Sequence, residues 1–211
     1  LRVLRVARFL SQFPAFSVAR ETTKLIKKMV ADGMLAHLTA ERVGNEMIKA
    51  LNARHPSRFF VYLNMVGALE VLMPELHALT KVPAGPYDHH PEGDAFVHTM
   101  MVLDQATEVG QLEVRFGALV HDLGKGNSFV DKLPSHHGHE QRGVPLTRAL
   151  GERLRLPAAL IEIGELVAAY HTHVHNAFKL NAKTVADMVV ALRVQQRPHR
   201  IDYLIDVSTA D

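Results

Sequence analysis

ALVHDLGKG, residues 118–126, is the stretch on which the reading of this chain turns. A helix-like apolar run ends in adjacent His121 and Asp122, then breaks on Gly124, Lys125 and Gly126. An imidazolium or carboxylate carried into an apolar interior loses its hydration, and that is costly unless something neutralises it. A bound cation is the candidate. Neighbours on a helix point about 100° apart, so His121 and Asp122 cannot share one stripe. They can still converge on one ion where the helix frays before Gly124.

Outward from this stretch the apolar period is helical nearly everywhere. In LTAERVGNEMIKAL, residues 38–51, Val43, Met47, Ile48 and Leu51 fall on one helix face, with Thr39 as the expected N-cap. Ser57 is the next start signal, Gly67 stops the helix it opens, and Pro74 marks a boundary or kink. Residues 81–93, KVPAGPYDHHPEG, hold three prolines and two glycines and read as a loop and domain boundary. Helices are expected around 94–110, 112–123, 140–155, 158–172, 183–195 and 199–210. Alternating β patterns, internal repeats and low-complexity tracts are absent. The expected architecture is all-α: a helical neck and body over 1–82, then a helical bundle over 83–211.

Composition narrows the function. The 211 residues include 24 Lys+Arg against 22 Asp+Glu, a net charge of +2, so overall charge does not announce a nucleic-acid partner and any basic face must be local. With no cysteine there can be neither a disulfide framework nor a thiolate metal site, which fits a reducing, cytoplasmic setting. No apolar run approaches the length of a bilayer span. The first residue is Leu rather than Met, and the opening LRVLRVARFL reads as the cut end of a structural helix rather than a targeting segment.

Histidine, at 14 residues, is the outlying count, and it clusters. His98 follows the proline-rich loop, His121 and Asp122 end the next helix, His171 lies late in another, and Asp211 closes the chain. Imidazole nitrogens and carboxylate oxygens arriving from several helices suit a first-row divalent metal. His136, His137 and His139 in PSHHGHE form a second cluster: further metal ligands, a proton relay with His171, or loop decoration. Lys125, flanked by glycines, is expected either to reach a phosphate oxygen or to sit as a solvated cation at a helix end. His90 reads as a loop-shaping residue. His171 and His175, four apart, share a helix face.

His98, His121-Asp122 and Asp211 resemble the H…HD…D pattern of the HD-domain metal-dependent phosphohydrolases. Over nearly the whole chain, LRVLRVARF, LTAERV, FFVYLNMVGALEVLMPEL, HHPEGD, HDLGKG, HHGHE and LNAKT, in that order, resemble the bacterial CCA-adding tRNA nucleotidyltransferases that carry an appended HD domain. The resemblance implies a metal site of His98, His121, Asp122 and Asp211, with His121, Asp122, Lys125 and His171 in catalysis. It implies nickel, cobalt, manganese or magnesium as the ion. Implied substrates are 2',3'-cyclic nucleotides, 2'-nucleotides and phosphomonoesters, with the tRNA 3' end as partner, no membrane, and an oligomer allowed. Arg2 matches the arginine of a nucleotide-selecting Glu-Asp-x-x-Arg element whose acidic partners would precede Leu1. The chain is therefore expected to be a fragment lacking the catalytic head and unable to add CCA by itself. Arg5, Arg8 and Glu41-Arg42 fall in the neck beneath that pocket, or else on a solvated, ion-paired face. One departure stands out: Thr172 follows His171 where the family pattern has Asp. Rival readings are a nucleotide-signal hydrolase of the wider HD superfamily and a non-enzymatic tRNA-docking helical module.

Overall fold

The helical period carries into the backbone of the computed structural model, which describes residues 1–88 and 90–211. Helices α1 (Arg2–Gln12), α2 (Arg20–Ala31), α3 (Ala40–Leu51), α4 (Ser57–Met65), α5 (Ala68–Leu72) and α6 (Pro74–Ala78) precede the proline-rich loop. Beyond it lie α7 (Ala95–Gln105), α8 (Leu112–Val120), α9 (His139–Arg153), α10 (Ala158–His175), α11 (Ala182–Leu192) and α12 (His199–Ala210). Among the described residues the only extended pairing is an isolated bridge between Pro83 and Asp94. The all-α expectation holds.

Local sequence explains most of the boundaries. Pro74 opens α6 at its first position, where a missing N–H costs nothing. Asp94 caps α7 by accepting from the Val97 N–H, a contact type that contributes about 1 kcal/mol. Thr39 stands at the expected cap of α3 without a capping side-chain bond. Ser57 differs in kind from the start signal it resembles. Its hydroxyl donates to Asp104 at 2.6 Å and its N–H to the other carboxylate oxygen at 3.2 Å, tying α4 to the end of α7.

In the second half α8 is the axis, with α7, α10 and α12 packed around it. Val114, Phe116, Ala118, Leu119 and Val120 are fully buried, which is why its apolar run shows no polar face. Arg115, also buried, spends its guanidinium on the carbonyls of Leu51, Ala53 and Thr107, supplying acceptors left over at the end of α3 with donors. Gly164 on α10 lets the ring of Phe116 approach to where a Cβ would lie 2.6 Å away. The apolar core runs without interruption from Val3 to Val207, on both sides of the 81–93 loop. That packing holds the C-terminal end of α8 deep in the protein while giving it polar residues.

Candidate metal centre

The end of α8 is where the buried polar groups collect. His121 is fully buried and Asp122 1% exposed. His121 Nδ1 faces the Ala118 carbonyl at 2.8 Å and must donate to it. In the neutral ring this leaves the lone pair on Nε2, the arrangement that prepares an imidazole for a metal. That Nε2 lies 3.2 Å from Asp122 Oδ2 and 3.5 Å from Asp211 Oδ1. Asp211, at the end of α12, also reaches His98 Nε2 at 2.8 Å through Oδ1 and His175 Nε2 at 3.0 Å through Oδ2. His98, on the first turn of α7, has its Nε2 3.8 Å from Asp122 Oδ2. Donor atoms of His98, His121 and Asp211 lie within 4.8 Å of one another.

A second trio adjoins the first through Asp122, whose Oδ1 lies 3.3 Å from His139 Nε2 and 3.7 Å from His171 Nε2. His139 Nδ1 donates to the His136 carbonyl at 3.0 Å, and His171 Nδ1 to the Val167 carbonyl at 3.1 Å. The two Nε2 atoms then face each other at 3.3 Å. With both Nδ1 atoms protonated, two neutral rings would oppose lone pair to lone pair, so a cation belongs there, either a proton or a metal ion.

These residues fit a divalent ion on direct grounds. His121 Nε2 and both carboxylate oxygens of Asp122 are buried without any hydrogen-bond partner, and orphaned buried polar atoms call for an explanation such as an ion. Lys125 Nζ approaches Asp122 Oδ2 to 2.6 Å as an ion pair, which compensates part of the charge. The charges answer one another. Burial alone would depress the His121 imidazole, yet Asp122 and Asp211 outweigh it and push it up to about 10. Asp122 is held well below the usual carboxylate range by His121 and Lys125, against its own burial. His121 and His98 do the same for Asp211. Burial, reinforced by the His121 charge, pushes His171 down to about 4 and keeps it a lone-pair donor.

Backbone economy makes the convergence possible. After His121 the chain tightens into a 3-10 turn, Leu123–Asn127, against which α9 packs. At Gly124 a Cβ would fall 1.9 Å from the His139 carbonyl oxygen, so only glycine admits the first turn of α9. His139 reaches Asp122 because of this contact.

The residues singled out from sequence divide clearly. His98, His121, Asp122, His171 and Asp211 come together, and His139 joins them. His136 does not. Its Nε2 donates to the Pro83 carbonyl at 2.8 Å and its Nδ1 accepts from Ser128 at 2.7 Å, so both ring nitrogens hold loops in place. His137 is exposed and contributes only its carbonyl, to Arg142. Lys125 is turned inward, donating to the Ala84 carbonyl at 2.9 Å, so of its two readings the solvated helix-end cation does not hold: burial beside Asp122 offers it a carboxylate in place of water. It lines a cavity of about 290 Å³ together with His136, His137, His139 and Glu140. Thr172 donates to Glu140 at 3.0 Å, so where the family pattern has Asp this chain has a residue hydrogen-bonded across to α9. Arg2 and Arg5 are exposed on α1, while Arg8 pairs with Glu46 at 2.7 Å. Glu92 and His175 stand outside the H…HD…D spacing, and both touch the centre, Glu92 through His98 and His175 through Asp211.

Histidines and aspartates from several helices meet at one helix end, and together they offer the donor set of a divalent-metal site. Residues 95–206 match the HD domain family, and the chain belongs to it. Residues 15–80 match a second family, described as the probable RNA and SrmB-binding site of polymerase A. The whole chain is similar to proteins called multifunctional CCA protein. It is 47% identical to that of Pasteurella multocida and 46% identical to that of Teredinibacter turnerae, in each case over 100% of this chain and 52% of the relative. The Dechloromonas aromatica protein is 45% identical and is covered over 51% of its length. The chain thus spans about half the length of the curated relatives it matches. A solved structure, the complex of a CCA-adding enzyme with CTP, shares the fold over 99% of this chain and 42% of its own, with a TM-score of 0.54 and 16% identity.

Proposed function

We propose that residues 83–211 form a divalent-metal-dependent phosphohydrolase unit, and residues 1–82 the helical neck and body of a longer CCA-adding tRNA nucleotidyltransferase. The observation that carries this reading is the set of buried, orphaned ligand atoms, His121 Nε2 and the Asp122 carboxylate, with His98 and the more exposed Asp211 beside them. The similarity to multifunctional CCA proteins over the full chain supports the tRNA 3' end as partner and a cytoplasmic setting. Arg2, exposed on α1, is assigned to the nucleotide pocket of that longer protein.

His98, His121, Asp122 and Asp211 would hold the ion, with nickel, cobalt, manganese and magnesium as candidates. When bound, a divalent cation there lowers the pKa of water and withdraws charge from a phosphoryl oxygen. The chain's own groups supply the rest. His139 and His171, facing each other through Nε2, can pass a proton at those atoms while Asp122 Oδ1 compensates the charge. Lys125 places an ammonium at the cavity wall, where it offsets phosphate charge and holds Asp122 in position. Substrates are 2',3'-cyclic nucleotides, 2'-nucleotides and simple phosphomonoesters.

The test is turnover. Chelator-stripped protein is supplied with each of the four metals and offered 2',3'-cAMP, 2'-AMP and guanosine tetraphosphate. Metal-dependent opening of the cyclic phosphate is expected. Turnover of guanosine tetraphosphate alone would assign the chain to nucleotide signalling, and no turnover with any metal would overturn the enzymatic reading.

A further inference from the structure

The loop between α6 and α7 carries a carboxylate whose position has a purpose of its own. Residues 82–95 are clipped at the base by Ala84 N–H to the Gly93 carbonyl at 2.9 Å and Ala95 N–H to the Val82 carbonyl at 3.0 Å. Within this clip Glu92, at 13% side-chain exposure, accepts from two imidazoles through a single oxygen: His98 Nδ1 and His90 Nδ1, each at 2.9 Å. The His90 ring stands at 87° to the His98 ring with centroids 5.1 Å apart. Its other side lies against Gly85, where a Cβ would sit 2.4 Å from the ring. Gly85, His90, Glu92 and His98 are therefore stacked in series, each fixing the next.

We infer that Glu92 is the positioning residue for the His98 imidazole, accepting a hydrogen bond from Nδ1–H so that Nε2 is presented to the cation held with His121, Asp122 and Asp211. This rests on the metal-centre reading above. A carboxylate behind a ligating histidine fixes ring orientation and tautomer and raises ligand basicity, and losing such a partner typically weakens metal affinity by about 10- to 100-fold. His121 takes the same kind of support from the Ala118 carbonyl, which is neutral. His98 is the ligand backed by a full charge. His90 acts one step further out by holding the Glu92 carboxylate on the His98 side of the loop.

The experiment is a cobalt titration of the chelator-stripped protein, read by calorimetry for affinity and stoichiometry and by the visible absorption of the bound ion for ligand field. Glu92→Ala should weaken cobalt binding about 10- to 100-fold and shift the absorption bands. Glu92→Gln keeps an acceptor for the Nδ1 proton without the charge, and should recover most of the affinity. Parent-like affinity and spectrum in Glu92→Ala would overturn the inference. So would a second cobalt per chain lost only on substitution of Glu92, because the His90–Glu92–His98 trio would then hold an ion itself. No cobalt binding by the parent protein would instead overturn the metal-centre reading and this inference with it. If Glu92→Ala does not fold, Glu92→Asp decides: its shorter reach should weaken binding more than Glu92→Gln does, and an Asp variant that binds as tightly as the parent counts against the inference.

Discussion

Gly124→Ala tests how the second half of the centre is assembled. The added Cβ would stand 1.9 Å from the His139 carbonyl oxygen, 2.7 Å from the Gly143 nitrogen and 2.8 Å from the His139 carbonyl carbon, all of it backbone. Ordinary contact begins at 3.4 Å, so the first turn of α9 must withdraw by about 1.5 Å, the difference between those two distances. His139 Nε2 now stands 3.3 Å from both Asp122 Oδ1 and His171 Nε2, and a shift of that size takes it out of hydrogen-bond reach of both. Overpacking of this kind costs about 1–3 kcal/mol, which for a protein near 200 residues lowers Tm by roughly 2–12 °C. Gly124 does not have a positive φ, so none of the loss comes from the backbone conformation of residue 124. Differential scanning calorimetry and 2',3'-cAMP turnover should fall together, while one ion at His98, His121, Asp122 and Asp211 is retained. Parent Tm together with parent turnover would refute the packing argument.

Metal-free protein should have a pH optimum of stability near 6.5. His121, raised from 6.5 to about 10, stabilises fully below its unfolded value and loses that contribution as pH rises towards 10. His171, lowered to about 4, and the depressed Asp122 and Asp211 lose theirs as pH falls. In chelator, Tm at pH 9.5 should therefore lie below that at pH 6.5, and saturating metal should remove most of the difference; an equal or higher Tm at pH 9.5 in chelator contradicts the assignment. Arg115→Met strands the carbonyls of Leu51 and Ala53 and should cost about 2–6 kcal/mol in urea denaturation with metal stoichiometry unchanged. Ser57→Ala removes a charge-assisted bond to Asp104 and should cost about 1.5–3 kcal/mol by the same measurement. Incubating these 211 residues with tRNA lacking its CCA end, CTP and ATP should leave the RNA length unchanged; a lengthened product would contradict the assignment of that activity to residues outside this chain.

Helix positions were legible because burial imposes the period. The run through Val114–Val120, the proline start at Pro74 and the cap at Asp94 need only local rules. The HD end of α8 was equally legible as a place of buried polar groups, since a His and an Asp carried into an apolar interior must find partners there. What sequence could not supply were the long-range meetings. His136, His137 and His139 look equivalent in PSHHGHE, yet only His139 faces Asp122, because α9 begins there and packs on Gly124. Lys125 is a glycine-flanked cation by sequence and a buried partner of Asp122 by geometry, set by the path of Ala84 overhead. Ser57 carries the signature of a helix start, and its hydroxyl goes instead to Asp104, a residue 47 positions away. Glu92 reaches His98 through the clipped loop, whose closure depends on bonds at Val82, Ala84, Gly93 and Ala95 that no local pattern announces.

On the reading proposed above, His121 and Asp122 would hold a divalent ion, and phosphoester hydrolysis by this chain would depend on it. Elemental analysis of the parent and of Asp122→Ala after reconstitution, paired with 2',3'-cAMP turnover on the same samples, tests it most directly. At least one ion per chain and metal-dependent turnover are predicted for the parent, with both lost in a folded Asp122→Ala protein. A purely structural Asp122 would show a different pattern: a stability loss of about 3–5 kcal/mol, indifferent to metal, from leaving His121 and Lys125 unpaired. Undiminished metal stoichiometry and parent-rate turnover in Asp122→Ala would contradict the account.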